Sequence, residues 1–292
     1  MPPQPAIDLS ISLLSFNNKD LLKQCLSSIY QGTQKISFEI LLVDNGSKDS
    51  SVEMVRKNFP QVQLIANRQN KLYIKGHNQN LKRVKGRYFL ILNEDTYLPP
   101  KTLDKMVSFM EANPKTGLAS CRQVGENGKV DMTCSRFPHP IYEILEISYI
   151  NKLLGKLAPF KKLLGNYRYG EWNRSTTRQV DVVPGSFMIG KNQLLNKIGL
   201  FDEKNLLFFY AEVDYCLRVK VAGYQIAHNA DVTITHLKSK ALIKLSAYFR
   251  HQISLHDQLS YYKKYFRIGW WFILWLFLLP GWLYWHIKTL KD

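Results

Sequence analysis

The sequence predicts an α/β fold, a Rossmann-like, mainly parallel sheet flanked by helices, with a helical, membrane-associating segment at the C-terminal end. Three observations carry this expectation. From Asp8 to about Gln123, short apolar runs alternate with amphipathic stretches, the signature of βαβ units. The runs are rich in Ile, Leu and Val without polar alternation, as strands are when helices cover both faces. Ile268 to Ile287 form a run without a charged residue, crowded with tryptophan.

The first strand is expected at Leu9–Leu14, followed by Ser15-Phe16-Asn17-Asn18 and a helix over Asp20–Ile29. The second, Glu39–Val43, leads into Asp44-Asn45-Gly46-Ser47-Lys48-Asp49 and a helix over Ser50–Asn58. Gln63–Ala66 reads as a third strand, and the loop Lys75-Gly76-His77-Asn78-Gln79-Asn80 leads to a helix over Asn78–Val84. The fourth strand, Tyr88–Leu92, ends in Asn93-Glu94-Asp95-Thr96 before a helix over Lys101–Asn113. In such sheets ligands bind beyond the carboxyl ends of the strands, which makes these polar loops the candidate site. Capping and turn formation explain any one of them. Three loops bearing carboxylates or amides at successive strand ends favour one shared polar site.

A chain of 292 residues, 46% apolar, suffices for one large α/β domain and an appendage. Cys25, Cys121, Cys134 and Cys216 are widely spaced with no CxxC pair, so reduced thiols in a cytosolic compartment are expected, not a disulfide framework or a zinc site. Met1 to Ile7 show no basic region followed by an apolar run, so no cleaved signal peptide is expected and the globular part should stay in the cytoplasm. The net charge of +17 favours anionic partners. No zinc finger or RNA-binding motif accompanies it, which ranks nucleic acid low.

The ordered set "ISLLSFNN", "ILLVDNGSKDSS", "GHNQNL", "YFLILNEDTYLPP", "YRYGEW", "VDVVPGSFMIGK" and "FFYAEVDYCLR" resembles family 2 glycosyltransferases with the GT-A fold, over roughly residues 8–240. More narrowly it looks like the rhamnosyltransferase-like branch that builds bacterial surface polysaccharides. The resemblance implies that Ser15 and Asn17 lie where the first strand meets the nucleotide. It puts Asp44 where a carboxylate holds the base, beside the turn Asn45-Gly46-Ser47, and Asn80 in the loop approaching the sugar diphosphate. Asp95 stands at the last position of a D-x-D-like motif that ligates a divalent cation, and His236 where a further metal ligand is often found. Asn93 replaces the first Asp and is expected to bond a ribose or sugar hydroxyl; Glu94 is expected to face solvent without a role.

The chemistry agrees. A nucleoside diphosphate leaving group gains negative charge that Mn2+ or Mg2+ neutralises as a Lewis acid. Hard cations take one or two carboxylates plus substrate phosphates, and an imidazole at His236 favours Mn2+; capping a turn is the plain alternative for that histidine. Inverting transfer also needs a base for the acceptor hydroxyl. The family usually has Glu-Asp-x-Asp where this chain has Ala211-Glu212-Val213-Asp214, which makes Glu212 the expected base and Asp214 the second choice. Helix capping is the competing reading of both. In the stretch Tyr167–Lys191, which resembles the part shaping the sugar and acceptor pocket, Asp181 and Gly185-Ser186 are candidate pocket residues. Tyr169 and Trp172 are candidate stacking platforms, though core packing would explain them too.

At the C-terminal end, Trp270, Trp271, Trp282, Tyr284 and Trp285 crowd the two ends of the charge-free run, Pro280-Gly281 break it, and Lys263, Lys264, Arg267, Lys288 and Lys291 flank it. A spanning helix, a re-entrant hairpin and a helix lying in the interface all fit, as does a tail buried against protein. A basic amphipathic helical insert is expected over 141–168, with Ile147, Ile150, Leu153, Leu154 and Leu157 beside Lys152, Lys156, Lys161 and Lys162. The expected organisation is a catalytic domain over 1–240 and a membrane-associating tail over 241–292. With the resemblance, this implies transfer of a sugar from dTDP-rhamnose, or a UDP-sugar, to a polyprenyl-linked glycan at the cytoplasmic face of the bacterial inner membrane. A homo-oligomer is compatible. The alternatives are a polyprenyl-phosphate sugar synthase and a catalytically silent nucleotide-sugar-binding scaffold, the latter motivated by Ala211 and Asn93.

Overall fold

The computed structural model of the protein describes residues 7–146, 150–151, 156–237 and 246–289, the last stretch with side chains as far as 283. Nine strands form one sheet among these residues. Their order is β3 (Gln63–Ala66), β2 (Phe38–Asp44), β1 (Leu9–Ser15), β4 (Tyr88–Asn93), β8 (Phe187–Lys191), β6 (Thr116–Val124), β9 (Gln225–His236) and β5 (Thr96–Tyr97), with β7 (Arg178–Gln179) beside β9. The first four run parallel, in register from Leu9↔Phe38 and Leu9↔Tyr88 onward. The expected strands are thus present to within a residue or so.

The second half of the sheet departs from the mainly parallel expectation. β8 lies antiparallel between β4 and β6, and β5 and β7 lie antiparallel on β9, although β6 and β9 pair in parallel. The sheet is therefore mixed. A parallel neighbour requires a crossover back to the opposite edge. The chain entering β8 instead arrives at the carboxyl end of β4, where Asn93 N donates to Ser186 O at 3.2 Å.

Period-two alternation divides the core between two faces. Leu90 and Leu92 pack with Leu9, Ile11 and Leu13 under α1 (Lys19–Gly32), α2 (Ser51–Asn58) and α4 (Thr102–Ala112). Phe89 and Ile91 pack under α3 (Leu72–Leu81), α7 (Gln193–Ile198) and α8 (Ala211–Val221). α3 begins six residues before the expected third helix. Asn70 Oδ1 accepts from Leu72 N at 2.8 Å, and Tyr73, Ile74, His77 and Leu81 face inward. Consequently the expected loop Lys75–Asn80 is helix, and Asn80 is fully buried, its amide donating to Leu13 O (2.9 Å) and Ser12 Oγ (3.1 Å).

Of the expected amphipathic insert, the structure describes α5 (Pro140–Glu146) and α6 (Ala158–Tyr167), the latter without a buried residue. Ile147, Lys152, Leu153 and Leu154 lie outside the described residues, as do Lys291 and the side chains of Tyr284, Trp285 and Lys288. The C-terminal part forms α9 (Ala247–Tyr265) and α10 (Ile268–Thr289). Pro280 does not break α10; a proline removes one backbone donor and kinks a helix without necessarily ending it. No helix among the described residues is long and apolar enough to cross a membrane. α9 contributes Tyr261, Tyr262 and Ile253 as buried residues, the two tyrosines joining the core under α8.

The loop between α6 and β7 is locked by a buried cation. Arg174 has no exposed surface and no carboxylate partner among the described residues. Its guanidinium donates to the carbonyls of Thr133 (2.8 Å), Tyr169 (2.8 Å), Arg168 (2.6 Å), Cys134 (3.3 Å) and Trp172. Desolvation pushes its pKa down. Removing such a donor strands several buried acceptors at once. Arg174→Met is therefore expected to lower the unfolding free energy by about 3 kcal/mol or more, read as a urea midpoint shift. An unchanged midpoint would show that the loop is held by other contacts.

Candidate active site

The carboxyl ends of β1, β2 and β4 meet where the strand order reverses, the topological switch point of an open α/β sheet. At the end of β2, Asp44 is almost fully buried, and its Oδ1 accepts from Gly46 N (3.1 Å) and Ser47 N (2.8 Å). Gly46 sits at φ +84°, and a Cβ there would lie 3.1 Å from Gln69 Cα, so conformation and space both require glycine. The turn is stitched to the first loop: Asn17 N donates to Ser47 Oγ (2.8 Å), and Lys48 N to Asn17 Oδ1 (2.7 Å). Asn45 bridges to the next loop, donating to Leu72 O (3.2 Å) and accepting from Asn67 Nδ2 (3.1 Å). Ser15 Oγ and Asp44 Oδ2 are buried without a hydrogen-bond partner among the described residues. Buried polar atoms are nearly always satisfied, so these two mark a place for a polar ligand. Ser15, Asn17 and Asp44–Ser47 thus form one cradle.

The end of β4 supplies a second corner. Pairing of β5 with β9 sets Thr96 opposite His236, and His236 Nε2 lies 3.3 Å from Asp95 Oδ1 and 3.5 Å from Asn93 Nδ2. Residues 141 positions apart in sequence are thereby joined. A carboxylate and an imidazole suit a borderline-hard divalent ion such as Mn2+. No group of three His, Cys, Asp or Glu that could hold a metal occurs among the described residues, so substrate phosphates and water would complete the shell. Glu94 does not face solvent as expected. It is 8% exposed, accepts from Asn18 Nδ2 at 2.6 Å, and is pushed up to about 8 by burial, with the neighbouring Asp95 adding to the shift.

Glu212, in the first turn of α8, lines a cavity of about 350 Å³ with Ser135, Tyr167, Arg168, Val182 and Gly185. Burial raises its pKa, against hydrogen bonds from Tyr73 and the Gly185 backbone. A Cβ on Gly185 would overlap both the Glu212 carboxylate and the Tyr73 hydroxyl, so this glycine is what lets the acid enter the cavity. Tyr73 is a residue beside the cavity that sequence reasoning missed; it lies ahead of the expected third helix, in a stretch the sequence marks with no motif.

The other candidates are held elsewhere. Asp214 has no exposed surface and accepts from Arg218 Nε (2.8 Å), Lys264 Nζ (2.7 Å) and Tyr265 Oη (2.6 Å). A carboxylate so enclosed is an anchor between α8 and α9, which leaves Glu212 as the acid facing the cavity. Asp257, likewise fully buried on α9, accepts from Leu207 N and Phe208 N, both at 2.8 Å. Asp181 pairs with Lys220 and accepts from Tyr169 Oη (3.3 Å), outside the Glu212 cavity. Asn80 ties α3 to β1, as described above.

Comparison with known proteins gives these residues a context. The profile described as Glycosyl transferase family 2 matches residues 10–197. An uncharacterized glycosyltransferase from Haemophilus influenzae is 31% identical over 122 residues, 40% of this chain and 41% of that protein; the chain thus spans less than half of that relative's length. An N-acetylglucosaminyl-diphospho-decaprenol L-rhamnosyltransferase from Mycobacterium tuberculosis is 20% identical over 274 residues, 90% of this chain and 86% of that one. In fold, the chain resembles a mannosyltransferase from Pyrobaculum calidifontis solved in complex with GDP-Man and Mn2+ (TM-score 0.57, 16% identity, 90% of this chain and 65% of the other).

The raised pKa of Glu94 makes a stability prediction. The fold favours its neutral form, so the associated stability is complete below the ordinary value of 4.5 and is lost as pH rises through about 8. Glu94→Gln cannot ionise. In EDTA, it is expected to unfold at a higher urea concentration than the wild type at pH 9, and to lose that advantage at pH 4.5. Parallel pH profiles would contradict the burial argument.

Proposed function

The chain belongs to Glycosyl transferase family 2 and is a glycosyltransferase of GT-A-like fold, and we propose that it inverts the anomeric centre of a nucleotide-activated sugar while transferring it to a lipid-linked glycan. The observation that carries this reading is the cavity in which the Glu212 carboxylate stands beside Gly185, one residue from Ser186, whose carbonyl meets the end of β4. In this reading the cradle at Ser15, Asn17 and Asp44–Ser47 binds the nucleoside. The buried Asp44 Oδ2 is an acceptor, which suits the imide N–H of thymine or uracil and not the ring-nitrogen acceptor of cytosine. Asn93 binds a sugar or ribose hydroxyl. Mn2+ or Mg2+, held by Asp95 and His236, would supply the Lewis acid that neutralises the leaving diphosphate.

Glu212 removes the proton from the acceptor hydroxyl as that oxygen bonds to the anomeric carbon. The bond from that carbon to the diphosphate breaks, and the nucleoside diphosphate leaves with the electron pair. Gly185 gives the carboxylate room, and Tyr73 fixes its orientation. dTDP-L-rhamnose is the favoured donor, by analogy with the mycobacterial relative; a UDP-sugar is the other. The favoured acceptor is a polyprenyl-diphosphate-linked glycan of cell-surface polysaccharide synthesis.

The tail supports a membrane-bound acceptor. α10 exposes Ile268 (70%), Phe272 (51%), Ile273, Leu276, Phe277 and Leu283 along one broad stripe. Exposed Lys263 and Arg267 stand at its start. Apolar surface rimmed by cations fits a helix lying in an anionic interface. The proposed arrangement is a catalytic region over 1–240 and a tail over 241–292 resting on the cytoplasmic face of the bacterial inner membrane.

A base must be ionised to work, and burial raises the Glu212 pKa, so kcat/KM is expected to fall on the acid side above the ordinary carboxylate range. Glu212→Gln is expected to lower transfer by about a hundredfold or more and to abolish that acid limb, while donor binding stays unchanged. Transfer that survives in Glu212→Gln with its acid limb intact would exclude Glu212 as the base.

A further inference from the structure

The segments that wall the Glu212 cavity also wall a second one of about 350 Å³, to which Arg136, Asn166, Tyr169, Glu171, Trp172 and Arg178 contribute. Both Arg136 and Arg178 lie over the Tyr169 ring, with guanidinium carbons 4.8 and 5.0 Å from its centroid, and Arg178 is also 5.1 Å from the Trp172 centroid. Stacking holds the planar forks while leaving their edges available. Arg136 Nε donates to Asn166 O (3.1 Å) and Arg178 Nε to Gln179 O (3.4 Å), and neither guanidinium has a carboxylate partner among the described residues. The acidic residue of the lining, Glu171, is exposed. Beneath Trp172 the buried Arg174 adds a third positive charge, 4.8 Å from that ring. The floor is fixed, because Arg174 clamps the loop and Tyr169 Oη bonds Asp181.

One short segment orders these features. Ser186 meets Asn93 at the metal corner, Gly185 meets Glu212, Val182 pairs with Ser135, and Asp181 meets Tyr169 under the arginines. Gly185 and Asp181 are four residues apart, a separation of at most about 14 Å. The donor phosphates belong at one end of this line, the base in the middle and an unneutralised pair of guanidiniums at the other. We propose that the Arg136–Arg178 cavity binds the diphosphate of the lipid-linked acceptor, its sugar reaching back to Glu212. The proposal rests on the reading of Glu212 as the acceptor-side base. Paired guanidiniums are matched to phosphate oxygens in geometry and charge.

The test is titration of the full chain in detergent and EDTA with farnesyl diphosphate and with farnesol. Farnesyl diphosphate is expected to bind the wild type and to bind the R136Q/R178Q variant about tenfold more weakly or worse, with farnesol showing no such difference. UDP binding and the thermal melting point are expected to be unchanged, since both arginines are exposed. E212Q is expected to keep farnesyl diphosphate binding, so loss of the base and loss of the subsite read out separately. Equal farnesyl diphosphate affinity in wild type and R136Q/R178Q overturns the proposal. So does a variant that loses sedimentation with phosphatidylglycerol vesicles but keeps farnesyl diphosphate, which would assign the arginines to membrane headgroups.

Discussion

The structure around the active site depends on one buried carboxylate. Asp214 is enclosed by Arg218 from its own helix and by Lys264 and Tyr265 from α9. Two residues before it in α8 stands Glu212. A buried charge that loses one partner is costly, so α9 is held to α8 by more than apolar contact, and Lys264 is raised well above its ordinary value by Asp202 and Asp214 against its own desolvation. Asp257 adds a second tie, capping Leu207 N and Phe208 N in the loop that leads into α8. The tail is thereby joined to the segment that aims Glu212. If α10 rests on a membrane, that contact is passed towards Glu212, the proposed base, through two buried acids.

The opposite side of the site follows from sheet topology. Parallel strands deliver polar loops to a common edge, and β5 folds back so that His236 reaches Asp95. Antiparallel β8 brings Ser186 to the end of β4, one residue from the Gly185 against which Glu212 packs. The proposed nucleotide cradle and cation corner are thus assembled by strand pairings within one sheet, and the proposed base enters from α8.

Much of this was legible in the sequence, for reasons that are local. The buried strands β1, β2 and β4 appear as apolar runs, and the residues that follow them appear as turn chemistry, so the sequence itself sets Ser15, Asn17, Asp44–Ser47, Asn93 and Asp95 at one edge. What escaped was set at long range. Asn80 sits in a helix because Asn70 and an inward-facing apolar stripe start α3 early. The buried Glu94 finds its partner in Asn18, 76 residues away. Asp214 reads as a spare base until α9 supplies its two further donors. Tyr73, Lys264 and the Arg136–Arg178 pair carry no motif; their roles come only from what the fold sets beside them.

The central claim is that cradle, cation corner and base form one transfer site. The most direct test is nucleoside diphosphate release from a panel of UDP-, GDP- and dTDP-sugars, with and without Mn2+, on detergent-solubilised protein, comparing wild type with His236→Ala. Release from one donor, dependent on Mn2+ and largely lost in His236→Ala, is the expected result. Release that is indifferent to Mn2+ and to His236, or none from any donor with membrane lipid extract present, would contradict the account.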